Sequence, residues 1–226
     1  HAAHPWITVW DDHEMMNGTW RAGAENHDEG EGDFFKRIAA ARQAYHEWMP
    51  IRTGPEGDQG VIYRAFQVGD LADLMMLDTR LTGRDAQLDY AKGIEQAGSV
   101  EAFLKNDLYN PARHMLGIEQ EAWLQNALQS SKARGATWQV LGQQVLMGKL
   151  NIPVIPPGEL AGLELSDYAR PRVEQTQQLA PYGLPSNLDA WDGYPAARER
   201  LFAMLMAHAT TPISLAGDTH HAWAFT

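Results

Sequence analysis

Asp11, Asp12, His13 and Glu14 stand side by side in the stretch WDDHE, and Asp218, His220 and His221 stand together in GDTHHAW. These side-chain types hold hard cations through oxygen, hold softer ones through imidazole, and carry protons near neutral pH. For the first stretch two readings are open. Either Asp11 or Asp12 caps a helix and His13 is incidental, or the cluster is half of a metal site. A helical zinc-protease motif needs two histidines four apart with a glutamate between them. The position four after His13 is Asn17, which excludes that motif. In the second stretch Gly217 supplies a tight turn, and one residue separates Asp218 from His220. In an extended or turning segment both side chains can converge on one ion. A surface turn is the plain alternative, but two imidazoles and a carboxylate at a strand exit point to a site.

The elements that must position these groups follow from hydrophobic periodicity. Trp6–Trp10 is rich in Ile, Val and Trp and predicts a short buried strand that ends at WDDHE. The Gly-rich, acidic stretch from Gly18 to Asp33 predicts a loop. Asp33 then caps a helix reaching Trp48, with Phe34, Ile38, Ala41, Tyr45 and Trp48 on one face and Pro50 ending it. Val61–Val68 and Leu71–Asp78 predict two strands around a turn at Gly69-Asp70. Leu81–Pro111 is polar and irregular, a loop with short helices. A helix over Glu119–Ala133 carries Trp123, Leu124, Ala127 and Leu128 on one face and ends at Gly135. TWQVLGQQVLM predicts a strand, and the Pro-rich stretch from Asn151 to Pro171 a long surface excursion. A last helix starts near Pro195, with Leu201, Met204 and Leu205 facing a core, and PISLAG forms the final strand. Strands and helices alternate, an α/β pattern in which ligands bind beyond strand ends. WDDHE and GDTHH occupy two such places.

Composition narrows the function. Eighteen Lys and Arg against 29 Asp and Glu leave a formal charge of −11 over 226 residues. Such a chain repels a phosphate backbone at long range, which argues against general nucleic-acid binding. It does not exclude an anionic substrate held through bound cations, which would be the largest local charges. The absence of cysteine excludes disulfides, thiolate nucleophiles and cysteine zinc sites within these residues. No apolar run is long enough to span a membrane.

WDDHE, YRAFQVGDLADLMMLDTR, RHMLGIEQEAWL, WQVLGQQVLM, NLDAWDGY and GDTHHAWAF occur in that order. Together they resemble the PhoD-like alkaline phosphatase/phosphodiesterase family, a branch of the metallophosphoesterases, across nearly the whole chain. The resemblance implies a four-layer αββα sandwich of the metallo-dependent phosphatase type. In that superfamily a Gly-Asn-His-Glu/Asp block supplies an Asn that binds metal and a His that contacts phosphate. Asp12 and His13 match these positions, with Asp replacing Asn. A Gly-His-x-His block supplies two metal ligands, matched by Asp218 and His220, again with Asp in place of the first residue. A superfamily histidine at the end of an intermediate strand has no counterpart in WQVLGQQVLM. Gln143 or Gln144 falls near that place, and both join Asp11 as substrate-binding candidates. Carboxylates in place of His and Asn favour Ca²⁺ and ferric iron over zinc, in keeping with the iron and calcium that the resemblance implies. Arg64 and Arg80 each offer a guanidinium fork for phosphate oxygens, with a structural ion pair as the alternative for either. Arg64 joins His13 as a catalytic candidate. Asp189 and Asp192 can position a loop and are assigned no chemistry.

What the resemblance implies is a hydrolase of phosphate monoesters or diesters, with a two-metal site and a metal-bound hydroxide. Its partner would be a phosphorylated small molecule or a phosphodiester, and its place periplasmic or extracellular. The family's first metal motifs lie upstream of a WDDHE block. Residues 1–226 are therefore expected to be the central portion of one catalytic domain, incomplete at both ends and lacking part of the site. The alternatives are a catalytically inactive, calcium-stabilised binding or structural relative, and a hydrolase of another ester.

Overall fold

A computed structural model describes residues 3–4, 6–52, 58–162, 164–167 and 169–225 of the chain. In chain order the elements are α1 (Phe34–Trp48), β1 (Arg64–Val68), β2 (Ala72–Met76), α2 (Tyr90–Ala97) and α3 (Val100–Phe103), which runs into a π-helical turn (Leu104–Leu108). They continue with α4 (Ile118–Arg134), β3 (Trp138–Gly142), α5 (Pro157–Gly162), α6 (Ala169–Leu179), α7 (Pro195–His208) and β4 (Pro212–Leu215). The strands form one mixed sheet in the order β1-β2-β3-β4. β1 pairs antiparallel with β2, Phe66 opposite Leu74, and β2, β3 and β4 run parallel, with Leu74 beside Val140 and Val140 beside Ile213. The β1–β2 hairpin turns at Gly69, whose φ of +58° favours glycine.

The two faces of the sheet differ. On one, Met75 and Leu141 pack with Leu124 and Leu128 of α4, Leu201 and Leu205 of α7, and Trp191 and Tyr194. Fully burying such side chains is worth about 1.5–3 kcal/mol each, which makes this cluster the main source of cohesion. The other face carries Phe66, Leu74 and Val140 and leaves Val68, Ile213 and Leu215 exposed.

The helices form where periodicity and caps predict them. Asp33 accepts the Lys36 N–H at 2.8 Å, and Phe34, Ile38 and Tyr45 are buried beneath α1. Trp48 does not join them and is 81% exposed. The cluster ends one turn earlier, where Met49 and Ile51 fold back against it. Gly135 ends α4 with a φ of +79°, and Pro195 opens α7. The Pro-rich excursion holds α5 and leads into α6, a helix that the pattern did not predict.

The stretch expected to be the first buried strand is not one. Among the described residues Trp6–Trp10 pairs with no strand, and Trp6 and Ile7 are exposed, while Trp10 is fully buried. Side chains satisfy its carbonyls instead. Arg64 donates to Thr8 O and Gln144 Nε2 to Trp10 O, both at 2.7 Å. The Trp10 ring meets Tyr45 edge-on, with centroids 5.7 Å apart. β3 also stops earlier than expected, at Gly142, because the two glutamines beyond it turn into the interior.

Candidate metal centre

WDDHE opens into a tight turn rather than a helix. Asp12 O accepts from the N–H groups of Met15 and Met16 at 2.8 and 2.7 Å, and no helix begins before Phe34 among the described residues. The Asp12 carboxylate reaches across the turn, and its Oδ2 accepts the Gly18 N–H at 2.8 Å. Gly18 has a φ of +61°, and a Cβ there would lie 3.0 Å from the Glu25 side chain, so the turn requires glycine. Asp11 Oδ1 accepts the Asp12 N–H at 3.0 Å, which fixes the two carboxylates relative to each other.

The second stretch arrives from the end of β4. Gly217 N–H donates to Gln144 O at 2.9 Å, and Asp218 and His220 both have positive φ, 65° and 55°. Non-glycine residues in this region cost about 1 kcal/mol or more, with Asp and His among those that tolerate it best. Two such residues bracketing Thr219 swing Asp218 back toward the first stretch. The result is a cavity of about 440 Å³ lined by Asp11, Asp12, His13, Asp189, Asp218 and His220, with Glu14 and Glu25 also on its wall. Asp11, Asp12 and Asp218 each present a carboxylate oxygen, and these oxygens lie within 4.8 Å of one another. His220 lines the cavity without joining this trio. His13 stands on the rim with its side chain 80% exposed, and its Nε2 is 3.9 Å from Asp12 Oδ2.

Arg80 is fully buried four residues beyond the end of β2 and lies behind the carboxylates that line the cavity. Its Nε donates to Asp11 Oδ1 at 2.7 Å, its Nη1 to Asp189 Oδ1 at 2.8 Å, and its Nη2 to Asp218 Oδ1 at 3.0 Å. Asp12 Oδ1 lies 3.9 Å from Nη2. Behind it Arg84 donates to the same Asp189 Oδ1 at 2.5 Å and stacks on Tyr194 with its guanidinium 4.8 Å from the ring centre. Four carboxylates thus face two guanidiniums.

The charge imbalance shows in the acidities. Burial pushes the Asp218 carboxyl up to about 6; Arg80 opposes this, and the neighbouring Asp189, Asp11 and Asp12 add to it. Asp11 is likewise raised, by burial first, against the pull of Arg80. Asp189 is lowered: burial opposes ionisation there, but Arg84 and Arg80 outweigh it. The carboxylates that face the cavity therefore lack positive charge. An all-oxygen donor set suits Ca²⁺ or ferric iron better than zinc, with the imidazoles of His13 and His220 at the rim.

Three sequence-derived candidates lie elsewhere. Arg64 does not line the cavity; it donates to Ile62 O and Thr8 O, both at 2.7 Å, and its guanidinium lies over Phe66. Gln143 is buried, donating to Ser214 Oγ at 2.7 Å and accepting from Trp191 Nε1 at 2.6 Å. Gln144 is buried as well; its amide joins Thr79, Leu77 O and Trp10 O. Both glutamines cross-link strand exits, and neither lines the cavity. Asp11, expected to bind substrate, stands in the carboxylate trio. Sequence reasoning missed Asp189 as a site residue. Its signal was an acidic residue two positions before Trp191 in NLDAWDGY, which also matches a plain turn.

The chain belongs to the PhoD-like phosphatase family, whose profile matches residues 1–226. A similar relative is alkaline phosphatase D of Bacillus subtilis (strain 168), 35% identical over 227 residues, covering 99% of this chain and 32% of the relative. A solved structure described as "Structure of PhoD" superposes with a TM-score of 0.68 at 33% identity, covering 97% of this chain and 35% of that one. The chain thus spans about a third of the length of these relatives.

Proposed function

We propose that this chain carries the central part of the catalytic domain of a metal-dependent phosphoester hydrolase acting on phosphate monoesters or diesters. The observation that carries this is the convergence of Asp11, Asp12 and Asp218 in one cavity from opposite ends of the chain. Such a cavity does not attract phosphate by itself. Two like charges 4 Å apart near a protein surface repel by about 4 kcal/mol at an effective dielectric of about 20. Carboxylates in excess of guanidiniums therefore exclude a phosphate until cations are bound. Bound cations supply charge for the phosphate oxygens and acidify a coordinated water.

This chain's residues then divide the work. Asp12 and Asp218 hold cations, with iron and calcium as the expected pair, and His220 completes their surroundings from the cavity wall. The Gly18 N–H keeps the Asp12 carboxylate in its orientation. His13, exposed on the rim beside Asp12, contacts the phosphate or gives a proton to the leaving oxygen. The bare sheet face, with Val68, Ile213 and Leu215 exposed, supports a second sheet stacked there in a four-layer sandwich. The enzyme's expected setting is periplasmic or extracellular, on the family resemblance.

The test is turnover by the full-length protein on an aryl phosphate monoester and a bis-aryl phosphodiester, with iron and calcium supplied. Activity that chelation removes and metal restores is the expected result. Absence of turnover on both substrates, with Ca²⁺ needed only for folding, would overturn it in favour of a calcium-stabilised inactive relative.

A further inference from the structure

We propose that Arg80 is a positioning residue of the cation site, aiming the carboxylates of Asp11 and Asp218 rather than clamping substrate phosphate. The inference rests on the cation-dependent reading of the cavity. Three observations carry it. First, each guanidinium nitrogen donates to a carboxylate, the side chain is 0% exposed, and Arg80 is not among the residues lining the cavity, so its fork is spent on carboxylates rather than presented to a phosphate. Second, Arg80 takes Oδ1 of Asp11 and Oδ1 of Asp218, which leaves Oδ2 of each for a cation. Third, Arg80 is itself held from behind. Asp189 Oδ1 accepts from both Arg80 and Arg84, and Arg84 is anchored on the Asp189 carbonyl at 2.9 Å and on the Tyr194 ring.

Alternating charges thus lead from the core to the cavity. A planar fork matches three carboxylates in three directions, whereas an ammonium is a point charge on a flexible stem. Groups that orient metal ligands typically alter cation affinity by about 10- to 100-fold when removed. Charge alone argues the opposite. A cation near the site repels another cation, so losing Arg80 would strengthen binding if charge were its only effect. The sign of the change therefore separates the two roles.

The experiment is calorimetric titration of Ca²⁺ alone into chelator-treated full-length protein, with thermal melts to establish folding. Arg80→Gln and Arg80→Lys are each expected to weaken Ca²⁺ binding by about tenfold or more. Affinity that is unchanged or tighter in folded Arg80→Gln overturns the proposal. So does unchanged Ca²⁺ affinity with weaker inhibition by inorganic phosphate, the mark of a phosphate clamp. If neither variant folds, Asp189→Asn and Asp189→Ala decide, because both remove the same charge and only alanine releases Arg80. Binding about threefold or more weaker in the alanine variant supports positioning, and equal binding overturns it. Because Ca²⁺ uptake is read without any substrate, a protein that passes this test and hydrolyses no phosphoester refutes the phosphoesterase activity and leaves the role of Arg80 standing. A wild-type protein that takes up no Ca²⁺ overturns this proposal, and the hydrolase activity is then judged on turnover.

Discussion

Strand β2 has a carboxylate–guanidinium contact near each end, and the two are built differently. Near its start, Asp73 is buried and meets Arg134 from the last turn of α4, whose Nη2 lies 2.6 and 2.5 Å from the two carboxylate oxygens. One charge meets one charge, and nothing is left over. Beyond its other end Arg80 meets Asp11, Asp189 and Asp218, with Asp12 close by. There the carboxylates outnumber the guanidiniums, two residues sit at positive φ, and a cavity opens above them. A balanced pair of this kind holds the fold together. An unbalanced cluster in a preformed cavity is costly unless something positive arrives, and structures retain such an arrangement where it binds a ligand. The parallel pairing of β2 with β3 and β4 explains why the imbalance lies at that end, because the exits of β2 and β4 come out on the same edge of the sheet.

The contrast can be broken most directly at Asp218. Asp218→Ala in the full-length protein is expected to lose bound metal and turnover together, measured by metal analysis and the rate on an aryl phosphate. Full activity in that variant would leave the cavity without a role. Next in size is His13→Ala, expected to lower kcat by about 10²-fold or more while metal content stays at the wild-type level, as suits a group that touches substrate or leaving oxygen. Chelation comes third. Removing free Ca²⁺ held at about 100 times its Kd forfeits about 2.7 kcal/mol, or roughly 5–10 °C in Tm for a chain of this size. A Tm indifferent to Ca²⁺ would show that the acidic cluster is not relieved by that ion.

At the balanced end the expected effects change kind. Arg134→Ala leaves Asp73 buried without its partner. Because the arginine side chain is 41% exposed, the cost is discounted to about 1–3 kcal/mol of stability, read in a denaturant melt, with turnover and Ca²⁺ affinity unchanged. Loss of Ca²⁺ affinity there would erase the distinction between the two ends. The smallest effect is expected at Arg64→Ala, about 1–2 kcal/mol from its two carbonyl contacts and no change in kcat. A fall in kcat of about tenfold or more would restore the catalytic part that the sequence first gave this residue.

Local chemistry was legible from the chain alone. Periodicity and caps placed α1 and α4 within a residue or two, and Pro195 marked the start of α7, because each depends on spacing, an N-cap, a terminal glycine or a first-turn proline that neighbours in sequence supply. The β1–β2 hairpin was readable from Gly69 for the same reason. The two acidic stretches could be singled out by residue type, since carboxylates and imidazoles crowded within a few residues suit a cation site.

What the sequence could not decide was which polar group faces which way. Trp6–Trp10 has the composition of a buried strand, yet its carbonyls are met by Arg64 and Gln144, residues remote in the chain. Gln143 and Gln144 stand where a ligand is expected and instead tie strand exits together. Arg64, the first residue of β1, and Arg80, four residues beyond β2, are the same residue type, and packing turns one toward backbone carbonyls and the other beneath four carboxylates. Residue types and local spacing determined what chemistry this chain has available. The parallel strand pairing and the buried guanidinium, contacts between segments far apart in sequence, decided where that chemistry is gathered.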